Sequence, residues 1–436
     1  MASRFSRRRM LQGAGAAALS QNIHSTEAAP AQRTWPIVEG PDTPKLCLAP
    51  GDGGGGLPQP LPSATAGRGG FGNYGGFVHN DASASTSYQR IRQLGVTHLL
   101  GVSVGNWTEG SIRTAIDTAR DAGLVAYNAM INLPASVLYG RENRARDMEP
   151  FLASIQAAGK AGLPVVEYNF YAHRAVEGYY ETVGRAHAGY TGFDYELELL
   201  IDENGRVVQP IFRDENGAIT PETLAAFPNA RKVRFKDLPP LPNEGAHNLD
   251  EMWANITYFL KTVIPVAEKA GVRMALHPND PPAPLSRGSQ QIMGTLAGWK
   301  HLIGIVDSPS NGITFDCGVT RELGEDPVAV ADFFASRKRI NHVHFRNVQV
   351  VKPYEKYQEV FIDAGMADMF GVMKALVRNK YTGTIYPEHP RALDYDRDRV
   401  PPGGRLPGYP GGGGYTGIAY SVAYARAMMQ AALESV

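Results

Sequence analysis

The sequence predicts an α/β protein of the (β/α)8 TIM-barrel class, and three observations carry that expectation. Short apolar segments alternate with amphipathic ones along most of the chain. The apolar segments lack the polar-out alternation of a half-exposed sheet, as expected of parallel strands buried on both faces. About eight such strand–helix units can be counted, which is the number that closes a barrel.

The elements follow in order. TPKLCLAP (43–50) reads as a first strand running into the glycine-rich loop GDGGGG. That loop has neither GxGxxG order nor a GK[ST] ending, so it reads as a connection and not a phosphate cradle. A helical segment around Tyr88 to Leu94 precedes the strand VTHLLG. TEGSIRTAIDTARDAG has an acidic start and a glycine stop, the marks of a helix. LVAYNAM is a third strand, Met148 to Gly162 a helix and PVVEYNF a fourth strand. Alternation then breaks over residues 173–248, an expected rim insertion in which DENGRVVQPIFRDENGAIT carries two turn signals around a β-rich run. A loop this long over a barrel mouth is usually a lid or specificity element. Alternation resumes with a helix from Leu249 to Ala270, then VRMALHP, GITFD, INHVHF and TGTIYPEH, each strand separated from the next by a helical segment. A Gly/Pro-rich loop (400–414) leads to a last helix, Tyr415 to Glu434.

Bulk properties narrow the function. The 436 residues carry 43 basic and 43 acidic side chains, a balance that argues against a nucleic-acid binder. Two cysteines, Cys47 and Cys317, lie far apart with no CxxC, so neither a disulfide framework nor a zinc ribbon is expected. At the start, Ser6-Arg7-Arg8-Arg9-Met10-Leu11-Gln12 resembles a twin-arginine export signal, followed by a weakly apolar Ala/Gly-rich run too short for a membrane anchor. Residues 1–30 are therefore expected to be a signal peptide and 31–436 a single barrel domain. The expected location is the periplasm, with no membrane anchor after cleavage. Self-association into a homo-oligomer is left open.

Candidate chemistry lies at the strand ends, where barrels of this class place their active sites. His277, Asp316, His344 and Glu388 end four successive strands, and together they form a mixed oxygen–nitrogen metal set. Such a set suits Mn²⁺, with Fe²⁺, Co²⁺ or Mg²⁺ behind it and Zn²⁺ still open. Within INHVHFRN, His342, His344 and Arg346 share one face; within GITFDCG, Cys317 opposes Asp316 and should pack outward.

The stretch from Asp250 to Pro282, then NGITF, HVHFRNV, FIDAGMADM and YPEH, resembles the mannonate dehydratase family of the xylose-isomerase-like barrel superfamily. The likeness is strongest from Leu249 to His389. It implies removal of water from D-mannonate to give 2-keto-3-deoxygluconate with a divalent cation, typically Mn²⁺. The implied ligands fall on His277, Asp316, His344 and Glu388. Asp316 stands where the family has cysteine and Glu388 where it has aspartate, while Asn279 replaces a usual aspartate. Both ligand changes make the site harder, closer to that of the superfamily's isomerases and epimerases.

By the same resemblance His389 is the acid/base histidine, provided the chain turns after Glu388, and Tyr415 matches a tyrosine that assists proton transfer. Arg346 is expected to pair with the substrate carboxylate. Asn169, His173, Arg174 and His342 complete the expected substrate contacts. Two other readings stand beside the dehydratase: a metal-dependent isomerase, epimerase or lyase acting on another sugar, and a non-catalytic periplasmic carbohydrate-binding barrel.

Overall fold

A computed structural model describes residues 38–54, 59–60, 84–214, 217–398, 404–406 and 408–436. The twin-arginine motif, Gly55 and Gly56 of the GDGGGG loop and part of the 400–414 loop lie outside the described residues.

Nine parallel segments hydrogen-bond in the order Val125–Ala126, His98–Leu99, Lys45–Leu48, Thr384–Tyr386, Ile340–His344, Asn311–Asp316, Arg273–Leu276, Val165–Tyr168 and Asn128–Ile131. The two outer segments are halves of one stretch interrupted at Tyr127, so the nine segments are eight strands and the ring closes. One half pairs with His98–Leu99 and the other with Val165–Tyr168. Register keeps the carboxyl ends level: Asp316 lies opposite His344, and His344 opposite Tyr386. Side chains distant in sequence are thereby brought to one height at the carboxyl ends of the strands.

The helices are built from local signals. Leu249–Ala270 starts at a capping box in which the Asn248 side chain accepts from the Glu251 amide, and it stops at Gly271 with φ 70°. Met252, Ile256, Phe259, Leu260, Val263, Ile264 and Ala267 form its buried stripe, and burial of each large apolar side chain contributes about 1.5–3 kcal/mol. Phe259 meets Phe151 of the preceding helix and Tyr168 of the fourth strand, which locks the helix to the barrel wall. The acidic-start helix, Glu109–Asp121, is likewise capped by Thr108.

Over the mouth lies a four-stranded antiparallel sheet in the order Asn347–Lys352, Lys356–Val360, Gly189–Asp194 and Tyr179–Val183. A hairpin, Glu198–Ile201 with Arg231–Arg234, extends the rim. Its turns sit where the sequence carries DENG: Gly205 and Gly217 adopt φ 75° and 81°, a conformation glycine tolerates without penalty. Residues 173–248 therefore do not form a free-standing subdomain. The chain after the seventh barrel strand supplies half of the sheet, and Tyr179, Phe193, Phe235 and Tyr357 bury together as one small core.

Candidate metal centre

His277 ends its strand with Nδ1 2.8 Å from the Pro278 carbonyl. A carbonyl can only accept, so Nδ1 carries the proton and Nε2 presents a lone pair. That Nε2 lies 3.1 Å from His344 Nδ1. Glu388 Oε1 lies 3.0 Å from the same His344 nitrogen, and Asp316 Oδ2 3.9 Å. Cation bonds of about 2.1 Å place adjacent octahedral ligands about 3.0 Å apart, which the His277–His344 and His344–Glu388 spacings match and the longer Asp316 spacing does not. His277, Asp316 and His344 each offer a donor atom within 4.8 Å of the others, and Glu388 joins them through His344. Neither Glu388 oxygen has a well-aligned hydrogen-bond donor among the described residues. This mixed nitrogen–oxygen donor set fits a divalent metal ion.

Electrostatics point the same way. Burial drives the His277 and His344 imidazoles well below the usual histidine range, keeping them neutral as ligation requires. Burial, reinforced by Glu388, pushes Asp316 up to about 7 even though Arg346 opposes it. Arg346 is the charge hub. Its Nε lies 3.2 Å from Asp316 Oδ2 and 3.3 Å from Glu388 Oε1, Nη1 lies 2.7 Å from Glu322 Oε1, and Nη2 lies 3.3 Å from Asp280 Oδ1. With Glu359 and Glu167 added, carboxylates outnumber the cations Arg174, Arg346, Arg391 and His389 around the site. A divalent ion held here would supply positive charge to balance them.

Beyond Glu388 the chain turns sharply. The last barrel strand ends at Tyr386, and His389 sits at φ 48°. The turn brings His389 to the same side as Glu388, with Nε2 3.5 Å from Glu388 Oε2 and Nδ1 2.9 Å from Glu359 Oε1. Burial works against the His389 charge, but Glu359 and Glu388 outweigh it and hold its pKa above the ordinary value.

Other expected site residues fall elsewhere. Arg346 is buried; its Nε and Nη1 meet Asp316 and Glu322, while Nη2 has no well-aligned hydrogen-bond partner among the described residues. Tyr415 turns outward, its hydroxyl donating to the Arg90 carbonyl; Tyr409 instead packs against His389, ring centres 5.2 Å apart. Register sets His342 one layer deeper, fully buried with Nδ1 2.8 Å from Thr384 Oγ1, where it forms a second group with Glu167 and His344. His173 is held by Glu177 at 2.9 Å on the rim. Arg174 donates to the Asp280 carbonyl and lies over the Tyr409 ring. Asn169 Nδ2 reaches Met130 Sδ at 3.5 Å, while its Oδ1 has no hydrogen-bond partner among the described residues. Cys317 is buried as the first residue of the helix Cys317–Glu322, and Asp316 caps that helix.

Asp280, Glu322, Glu359, Arg391 and Tyr409 were not singled out by the sequence. Glu167 could have been, because alternation in PVVEYNF puts it on the same inward face as Asn169. The others reach the site through long-range packing that leaves no local pattern.

A family model described as D-mannonate dehydratase (UxuA) matches residues 79–435. Mannonate dehydratase of Enterococcus faecalis is 29% identical over 336 residues, spanning 72% of this chain and 87% of the relative. That of Streptococcus equi subsp. zooepidemicus is 30% identical over 312 residues, spanning 70% and 81%. The crystal structure of mannonate dehydratase from Streptococcus suis serotype 2 aligns with a TM-score of 0.61 at 25% identity, covering 80% of this chain and 91% of that one.

Proposed function

The chain belongs to the D-mannonate dehydratase family of hydro-lyases, and from that premise we propose that it removes water from D-mannonate, or a close sugar-acid analogue, using Mn²⁺. The observation that carries this reading is the convergence of His277 Nε2, His344 Nδ1 and Glu388 Oε1 with an imidazole at their edge.

The reaction removes the proton next to the carboxylate and expels the neighbouring hydroxyl; the resulting enol relaxes to the 2-keto-3-deoxy acid. A bound divalent cation supplies Lewis acidity toward substrate oxygens. His389 takes or returns a proton at Nε2, because Nδ1 is committed to Glu359. Arg346 fixes Asp316 and Glu388 in place and keeps their charge tolerable. Arg174, whose guanidinium lies over the Tyr409 ring, and Arg346 are the guanidinium groups we assign to the substrate carboxylate. Tyr409 covers His389 and limits water at the proton-transfer step.

The direct test incubates Mn²⁺-loaded protein with D-mannonate and looks for the 2-keto-3-deoxy acid. The reading expects product that is abolished by chelator and by His277→Ala. Metal retained without that product moves the assignment to an isomerase, epimerase or other lyase, and absence of bound metal leaves a carbohydrate-binding barrel. We also propose periplasmic action, supported by the Arg7-Arg8-Arg9 motif. Fractionation should find the mature chain in the periplasm and a variant with lysine at those three positions in the cytoplasm.

A further inference from the structure

We propose that Glu359 is a positioning residue for His389, and that the rim sheet built from the 173–248 insertion serves to hold it there. The inference rests on the reading of His389 as the acid/base group. Glu359 lies on a rim strand, not a barrel strand, and antiparallel register sets it directly opposite Thr191 of the insertion. Both side chains point at one buried guanidinium: Arg391 Nη2 donates to Glu359 Oε2 at 2.8 Å and Nη1 to Thr191 Oγ1 at 2.8 Å. The same arginine returns to the His389 backbone, where Nε and Nη2 donate to its carbonyl at 2.9 and 2.7 Å. The remaining Glu359 oxygen, Oε1, accepts from His389 Nδ1 at 2.9 Å. Imidazole, carboxylate and guanidinium thus close a ring around a residue at φ 48°, a conformation that needs support from its surroundings.

The chemical consequence concerns which nitrogen reacts. Glu359 is fully buried and Arg391 holds its charge, so its Oε1 can only accept. His389 therefore keeps a proton on Nδ1 in either charge state, and Nε2 is the nitrogen that exchanges. Nε2 faces Glu388 and the ligand cluster and has no well-aligned hydrogen-bond partner among the described residues. The insertion strand is tied to the same loop by a bridge between Gly189 and Ala392. It acts as a fixed buttress and not as a lid.

A purely structural ion pair between Glu359 and Arg391 would have different consequences. In Glu359→Gln, Arg391 claims the amide oxygen, which turns the amide NH₂ toward His389 Nδ1 and favours the opposite tautomer. The expected result is a fall in kcat of about 100-fold or more, with KM and metal affinity within about threefold of wild type. Glu359→Asp should restore part of the rate. In ¹⁵N-histidine spectra of Mg²⁺-loaded protein, His389 should change from the Nδ1–H to the Nε2–H form. A kcat within about threefold of wild type, or a loss of activity matched by loss of metal, overturns the proposal. If Glu359→Gln does not fold, Thr191→Val decides: a folded, metal-binding protein with reduced kcat supports the buttress, and an unchanged kcat sinks it. His389→Asn keeps the two readings apart. If it dehydrates substrate normally, the acid/base assignment itself fails; if it is inactive while Glu359→Gln is fully active, only the present inference fails.

Discussion

At the residue scale, Arg346 shows how one side chain can serve several buried carboxylates at once. Its guanidinium is buried against Asp316, Glu388, Glu322 and Asp280. Arg346→Met keeps the volume and removes the charge, leaving those carboxylates without their shared cation. Removal of one partner from a buried ionic network costs about 3–5 kcal/mol, so urea unfolding of the metal-free variant should show a loss of that order. A loss below about 1 kcal/mol would mean that the carboxylates are already protonated and that the hub is not ionic. His98 makes a separate prediction, away from the ligands. Burial and the nearby Lys45 lower its pKa to about 4. The unfolded chain binds that proton near pH 6.5 and the folded chain does not, so stability is lost as pH falls from about 6.5 toward 4. One proton limits the slope to about 1.4 kcal/mol per pH unit, and partial exposure of the ring reduces it further. Denaturation midpoints should flatten across that window in His98→Gln; an unchanged slope would exclude His98 as the source.

At the element scale, Asp316 serves two structures at once. Its Oδ1 caps the helix Cys317–Glu322 by accepting from the Val319 amide at 2.8 Å, while Oδ2 faces the ligand cluster. Asp316→Asn keeps an oxygen for the cap and loses the ligating charge, whereas Asp316→Ala loses both. Both variants should bind metal poorly, and the alanine variant should be less stable than the asparagine one by about 1 kcal/mol. Equal stabilities would deny the cap its role. Gly318 on the same helix shows why the turn is tight: an added Cβ would lie 2.6 Å from Arg346 Nη1.

This strand-end geometry also marks where the sequence stops being legible. The eight strands were readable because each is a short apolar run bounded by turn signals, and His277, Asp316, His344 and Glu388 were readable because they end those runs. Glu322, Glu359 and Asp280 were not, because they come from a helix, a rim strand and a loop that meet only around Arg346. The rim sheet pairs Thr191 with Glu359 across more than 160 residues of sequence, and no local pattern announces such pairing. Tyr415 and Tyr409 illustrate the same limit. Both follow glycine-rich sequence, and only packing decides which ring reaches His389.

At the scale of the whole molecule, the barrel, the rim sheet and the excess of buried carboxylates make metal binding a folding term. The ligand cluster forms only when strands distant in sequence close the ring, so a divalent ion binds the native state and not the unfolded chain. Ion at about a thousandfold over Kd then contributes about 4 kcal/mol of stability. For a chain of this size that corresponds to about 5 °C in Tm. Treatment with chelator should lower Tm by that amount, and Mn²⁺ should restore it. His277→Ala should start from the lower value and gain little from Mn²⁺, because it lacks the nitrogen 3.1 Å from His344. His98→Gln, on the opposite count, should respond to Mn²⁺ like wild type. If His277→Ala gains as much as wild type, the stabilising ion sits elsewhere in the fold and the cradle at the barrel mouth is not its site. If neither protein responds while elemental analysis shows full exchange of metal, binding is not coupled to closure of the ring. The buried carboxylates would then have to be neutralised by protons alone.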